Sequence, residues 1–285
     1  MGQSFFIWKG VDCRAMGIIT RGPAAIVRPA AIVRPEERVQ HVEIPGVAGD
    51  YTETEGEEIY TSYIQTVSLS VRDGYNVRKV FRWLRGKGFV TFSGEPDRRQ
   101  QARIIGAVTL NKISRNLDAW AGEVQFYCQP LKELLYPRKI IVPAYSSSAT
   151  HKVGDWCIYS GALYECSTAI TTAEAWTAGH WTAKTGLPVR NGGDVLCKPV
   201  YKVTAGATTV KVKAGTREIT VADVTAADVI WIDTNTMELW KESGGVRVSL
   251  TANSSGAFPW LEVGDNTVTL TGVSAIEIEK NERYL

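Results

Sequence analysis

Along this chain, apolar and polar residues alternate with a period of two far more often than they recur every three or four. The stretches VQHVEI (39–44), YIQTVSLSV (63–71), FVTF (89–92), RIIGAVTL (103–110) and AGEVQFYC (121–128) place β-branched and aromatic residues on every second position, and each is closed by a turn-forming residue. Half-buried antiparallel strands are the structure such alternation predicts. One segment breaks the rhythm. In YNVRKVFRWLRG, Val77, Val80, Phe81 and Leu84 share one helical stripe, and Gly86 sits where a helix stops. The remaining face carries Arg78, Lys79, Arg82 and Arg85. It reads either as a solvated surface with favourable charge at the helix C-terminus, or as a contact with DNA or an acidic neighbour. From Lys198 onward the strand rhythm returns in PVYKV, TTVKVKA, REITVAD, DVIWID, MELW, VRVSL, NTVTLT and AIEIEK. Short strands at this spacing predict a jelly-roll type of β-sandwich. Trp231, alternating within its strand, is assigned to the core.

Between the two strand-rich parts, composition shifts. PAYSSSAT (143–150) has the Pro/Ser character of a linker. The block that follows, 151–185, holds Trp156, Trp176 and Trp181 together with Tyr159 and Tyr164. Ser160-Gly161 predicts a two-residue hairpin turn with Ile158 opposite Leu163 and Cys157 opposite Tyr164. In that register Cys157 and Cys166 are diagonal, whereas a turn at Gly161-Ala162 makes them direct partners able to form a disulfide. The chain therefore divides into 1–142, a linker at 143–150, the aromatic block 151–185, and 186–285. Two oddities lie near the front. AAIVRPAAIVRP (24–35) is a tandem copy whose prolines exclude a central strand, so it reads as an extended loop or arm. The acidic TETEGEE (52–58) reads as a solvated hairpin tip.

Charge and composition narrow the function. With 32 Lys plus Arg against 30 Asp plus Glu in 285 residues, the net charge is +2, which removes the large basic excess of a typical nucleic-acid binder. Residues 1–150 carry 20 basic and 15 acidic residues, about +5, and the rest 12 and 15, about −3. No apolar run reaches the length of a membrane helix, and FFIW followed by Lys9 is too short for a secretory core. The chain is expected to be soluble and unexported. The five cysteines, Cys13, Cys128, Cys157, Cys166 and Cys197, form no CxxC and have no zinc-type His neighbour, so free buried thiols in a reducing compartment are expected.

Catalysis finds little support. GxxxxGK[ST], HExxH and GxSxG are all missing, and only His41, His151 and His180 could serve a Ser/His/Asp arrangement. His41, within a strand pattern, is read as structural. Glu165 and Glu174, with Asp155, are the nominees for a glycan hydrolase, yet a block this small can hardly bury carboxylates enough to raise a pKa. No catalytic residue, metal ligand or cofactor is assigned, and the chain is expected not to be an enzyme. The aromatic block offers something else. It is too small to bury every ring, and a flat exposed indole suits the C–H face of a pyranose. The candidate carbohydrate-binding residues are Trp176, Tyr159, Tyr164 and Trp181. Trp176 is assigned the exposed role, and Trp156 and Trp181 mainly a compensating mini-core.

The run V-G-D-x-x-x-Y-x-G-x-L-Y followed by W-T-x-x-H-W resembles the chitin-binding type of carbohydrate-binding module, although the proline before the last tryptophan is missing. That resemblance implies a polysaccharide ligand. The rest resembles the distal tail protein (Dit) of long-tailed phages. It does so through FFIWKGVDCRAMGI, IPGVAGDY (44–51), FRWLRGKGFVTFSGEPDRRQQARI (81–104) and FYCQP (126–130), then NGGDVLCKPVYKV (191–203), IWID (230–233) and PWLEVGDNTVTLTG (259–272). The AAIVRP duplication departs from that family. The resemblance implies a mainly β fold: a ring-forming N-terminal belt domain with one helix, a β-sandwich or barrel, then the small module and a galectin-like β-sandwich. It also implies a homo-hexamer at the tail tip of a virion, made in the host cytoplasm, that joins the tail tube protein to the tail hub, tail-associated lysin and receptor-binding proteins. Host surface polysaccharide is the implied external partner. DNA passes through the lumen without specific binding, and no membrane insertion is implied. The alternatives are a tail-associated cell-wall glycan hydrolase and a stand-alone lectin or adhesin.

Overall fold

The computed structural model describes residues 4–19, 34–43, 50–54, 59–113 and 115–285, with the backbone alone for 39–43 and 50–54. Most of the AAIVRP duplication and the end of the acidic TETEGEE stretch lie outside the described residues. His41 occupies a strand, Val39–Glu43, paired with Asp50–Thr54. The fold is mainly β and separates into two compact units, one comprising Met1–Tyr136 with Tyr284–Leu285, the other Pro137–Arg283.

The first unit is organised by one large antiparallel sheet. Its order runs Val11–Asp12, Phe6–Trp8, Lys87–Phe92, Arg98–Lys112, Trp120–Leu134, Tyr63–Val71 and Ile18–Ile19. Alternation decides which side is buried: Val67, Leu69 and Val71 face the core, and so do Val124 and Phe126 on the neighbouring strand. Phe126 is the centre, with Phe6, Trp8 and Phe92 edge-on at 5.4–5.7 Å. The two longest strands continue through an irregularity between Ile105 and Thr109, around Gly106. Here Gly122 is required, because a Cβ on it would collide with the carbonyl oxygen of Thr109.

The predicted helix forms at Val77–Trp83. Asn76 caps it by accepting hydrogen bonds from the amides of Arg78 (3.0 Å) and Lys79 (3.2 Å). Val80 and Leu84 are buried, but Phe81 is 38% exposed, so the apolar stripe is narrower than the periodicity suggests. Trp83 fills part of the gap. Its ring stacks on Phe6, its indole N–H donates to the Trp8 carbonyl (3.3 Å), and Trp8 returns the bond to the Trp83 carbonyl (3.1 Å).

The second unit has a six-stranded sheet, in the order Arg138–Val142, Val273–Lys280, Val200–Ala205, Val229–Asp233, Glu238–Ser243 and Val246–Ser249. A five-stranded sheet comprises Leu187–Asn191, Gly264–Thr271, Val210–Ala214, Arg217–Val221 and Ser254–Gly256. Both sheets contribute to one core, with Tyr201, Val203, Ile230, Ile232, Ile276 and Ile278 from the first and Val212, Ile219 and Val268 from the second. The break between units falls before Pro137, not at residue 142, because Arg138–Val142 is hydrogen-bonded into the six-stranded sheet. Trp231 is not in the core. Its neighbours Ile230 and Ile232 take that side, leaving Trp231 half-exposed on the opposite face.

A buried charge cluster ties the second unit together. Glu282, 1% exposed, accepts from the Gly192 amide (2.9 Å) and Lys280 Nζ (2.9 Å) and lies 3.8 Å from Arg138. Burial alone would raise its carboxyl pKa, but these three partners together hold it below the ordinary carboxylate value.

Candidate functional site

Three strands, Trp156–Tyr159, Ala162–Cys166 and Trp181–Lys184, form a small antiparallel sheet inside the second unit. The first two are joined through Ser160 and Gly161, with φ of 49° and 76°, the left-handed pair that a two-residue hairpin of this twist needs. Cys157 therefore faces Tyr164, and Ile158 faces Leu163. Cys157 and Cys166 are diagonal, and all five cysteines carry free thiols.

Side chains alternate across this small sheet, giving it two different faces. Trp156, Ile158 and Leu163 join the core of the large sandwich. Cys157, Cys166 and Trp181 point the other way and, with Ile170, make a core of their own. Trp156 thus lies apart from the mini-core that the sequence assigned to it. The stretch 143–150 is also more than a linker. The Ile158 amide donates to the Pro143 carbonyl and the Tyr145 amide to the Ile158 carbonyl, both at 2.9 Å, which lays this stretch alongside the hairpin.

Over the second face sits an aromatic cluster in which the four candidate residues converge. Trp176 touches the other three: Tyr159 at 4.0 Å and 9° from parallel, Trp181 at 5.5 Å and 17°, and Tyr164 edge-on at 4.8 Å. Trp181 is buried at 6% exposure and supports the cluster from within. Tyr159, Tyr164 and Trp176 are half-buried, so Trp176 is not the free-standing indole the sequence suggested. Sequence reasoning missed Tyr145, whose ring stands edge-on to Tyr159, Trp176 and Trp181 at 5.0–5.7 Å. It also missed His151, stacked on Tyr145 at 5.6 Å and packed against Trp181 at 5.0 Å.

The segment carrying Trp176 has no regular structure and is held by polar contacts. Tyr145 Oη donates to the Glu174 carbonyl (2.9 Å), and the Glu174 carboxylate lies 2.7 Å from His180 Nδ1. Glu165 pairs with Lys184 at 2.7 Å and alternates onto the sandwich-facing side of the hairpin. The two carboxylates nominated for hydrolysis therefore have separate basic partners and do not share a cleft face. Among the described residues, no group of three or more His, Cys, Asp or Glu could hold a metal ion, and no helix is long and apolar enough to cross a membrane.

A second aromatic feature runs across the outer face of the six-stranded sheet. Trp231 and Trp240 are cross-strand partners, 6.0 Å apart and 3° from parallel. Lys202 lies over Trp231 at 4.9 Å and Arg247 over Trp240 at 3.6 Å. An open cleft of about 330 Å³ lies beside Trp240, lined by Met237, Leu239, Arg247, Ser249 and Thr251 among others. Each indole has the other on one side and a cation on the other, so the row reads as a self-capped ladder stabilising the sheet.

Comparison with known proteins gives the fold a context. No protein-family model matches the sequence, and no curated protein does. Among solved structures, the chain is similar over 100% of its length, and 100% of the other chain, to the SPP1 Dit (gp 19.1) protein. The TM-score is 0.66 and the identity 16%, and that protein is described as a paradigm of the hub adsorption apparatus in phages infecting Gram-positive bacteria. Similarity also extends to the phage P2 baseplate in its activated conformation with Ca, at TM-score 0.48 and 10% identity over 99% of each chain. With Sr, the phage p2 baseplate gives 0.45 and 12% over 98% of each chain. The fold is that of SPP1 Dit.

Proposed function

We propose that this chain is the distal tail hub protein of a long-tailed phage. Six copies form a ring at the end of the tail tube, with the first unit, Met1–Tyr136 with Tyr284–Leu285, as the belt and the galectin-like sandwich of the second unit carried outside it. The ring joins the tail tube protein to the tail hub and receptor-binding components and leaves a lumen for DNA. The observation that supports this reading best is the end-to-end likeness to SPP1 Dit, which spans both strand-rich parts in one continuous chain. Strand edges with unpaired backbone groups suit closure into a ring of identical subunits.

The aromatic block adds a contact with host surface polysaccharide. Tyr159, Tyr164 and Trp176 keep part of their ring surface in water on one face of the small sheet, with Trp181 and Tyr145 holding them from beneath and beside. Six copies on one ring convert weak individual contacts into avidity, by about 10² to 10⁴ when several engage together. Electron microscopy of purified tail tips tests the hub. The expected result is a hexameric ring at the end of the tube, and density for this chain anywhere else, or a stable monomer within assembled particles, refutes it.

A further inference from the structure

Between Asp73 and Glu95 the chain has no acidic residue and five cations: Arg78, Lys79, Arg82, Arg85 and Lys87. All five are exposed, and among the described residues none forms an ion pair through its side chain. Favourable interaction with the helix dipole accounts for only part of this. Arg82 and Arg85 lie at the helix C-terminal end, where positive charge is stabilising, but Arg78 and Lys79 occupy the first turn, where it is not, and that turn has no acidic residue. Arg78 and Arg82 are four residues apart, and Lys79 and Arg82 three, so like charges face each other along the helix. Lys87 lies directly across the sheet from Arg103, a further like-charge pair. Among the described residues, nothing in the unit relieves this electrostatic cost. At the centre of these charges Phe81 is 38% exposed, and Tyr75, just before the helix, is 42% exposed.

We propose that the helix Val77–Trp83 and the turn to Lys87 form a docking surface for an acidic protein face on an adjoining tail component. This inference rests on the tail-hub reading. Arginine is the cation best suited to paired hydrogen bonding with carboxylates, and three of the five are arginine. An exposed aromatic ringed by charge matches the apolar centre and polar rim of a protein interface. Binding to DNA phosphates needs a larger basic excess than the +5 of residues 1–150 supplies, and that excess is concentrated here.

The test uses intact particles treated with a carbodiimide, which joins lysine amines to carboxylates only where they already touch, followed by mass spectrometry. Lys79 and Lys87 are expected to be linked to Asp or Glu of a different tail protein. Links only to this chain's own Glu53–Glu58 stretch, or none at either lysine, overturn the proposal, and so does tight retention of duplex DNA by the purified full chain at physiological ionic strength. Absence of the chain from purified tails overturns the hub reading itself, and this inference with it, whereas presence without such links overturns only the inference. In a second arm, Arg78→Ser with Lys79→Ser and Arg82→Ser is expected to lower incorporation into tails about tenfold or more. Its melting temperature should be unchanged or raised, since like-charge repulsion is removed.

Discussion

The phenol ring of Tyr159 lies 4.0 Å from the indole of Trp176 and within 9° of parallel, although one belongs to a strand and the other to an irregular segment. This stack joins the Trp176 segment to the small sheet and leaves both rings partly in water.

Replacing Trp176 by Ala should weaken retention on host cell-wall polysaccharide by about tenfold or more, in line with the loss of an aromatic anchor. The loss of stability should be smaller than for the buried Trp181, because the indole is only half-buried, though its ring contacts are lost. Trp181→Ala should instead cost about 3 kcal/mol or more in denaturant unfolding, since that ring is buried. Equal retention of wild type and Trp176→Ala would remove the sugar-contact reading and leave the hub reading intact.

The hydrolase alternative can be tested directly. Neither the wild type nor Glu174→Gln is expected to release reducing ends from purified peptidoglycan. Turnover that disappears with Glu174→Gln would contradict the pairing of that carboxylate with His180 as a purely positional contact.

Acid should unfold the second unit in a way that Glu282 controls. Its folded pKa lies below the ordinary 4.5, so its contribution is complete above that value and is lost as pH falls through the lowered one. Glu282→Gln leaves Lys280 buried without its counter-charge and should cost about 3 kcal/mol at neutral pH. The same substitution should flatten the loss of stability below pH 4.5, measured by urea unfolding at a series of pH values.

All five thiols should resist modification in the native protein. Burial pushes Cys128, Cys157 and Cys197 up to about 12, and Cys13 and Cys166 above their ordinary value. A colorimetric thiol reagent should react slowly with the folded chain and with five groups after denaturation; rapid reaction of one or two in the native state would contradict the burial.

Much of the sheet structure is legible in the sequence because a strand with one wet face must alternate. The strands from Val200 to Lys280, the hairpin turn at Ser160-Gly161 and the helix all follow from local chemistry. What alternation cannot specify is which of two apolar faces turns inward. In VIWID every choice places large residues on both sides, and the core takes Ile230 and Ile232 and leaves Trp231 outside. Tyr145 was hidden for a different reason: its serine neighbours have linker composition, while its place in the aromatic cluster comes from a bridge to Ile158 that no local pattern announces. The gathering of Trp176 onto Tyr159 depends on the path of an irregular segment, so sequence picked out Tyr159, Tyr164, Trp176 and Trp181 as candidates but neither Tyr145 and His151 nor the contacts among them.

Because Ile158 and Leu163 are embedded in the same core as Tyr201 and Ile278, the aromatic segment is not a detachable cassette. Cutting out residues 143–186 would strip apolar cover from the sandwich below, and grafting them elsewhere would leave their underside wet. Any exchange of this segment between related chains must therefore carry the supporting sheets along with it.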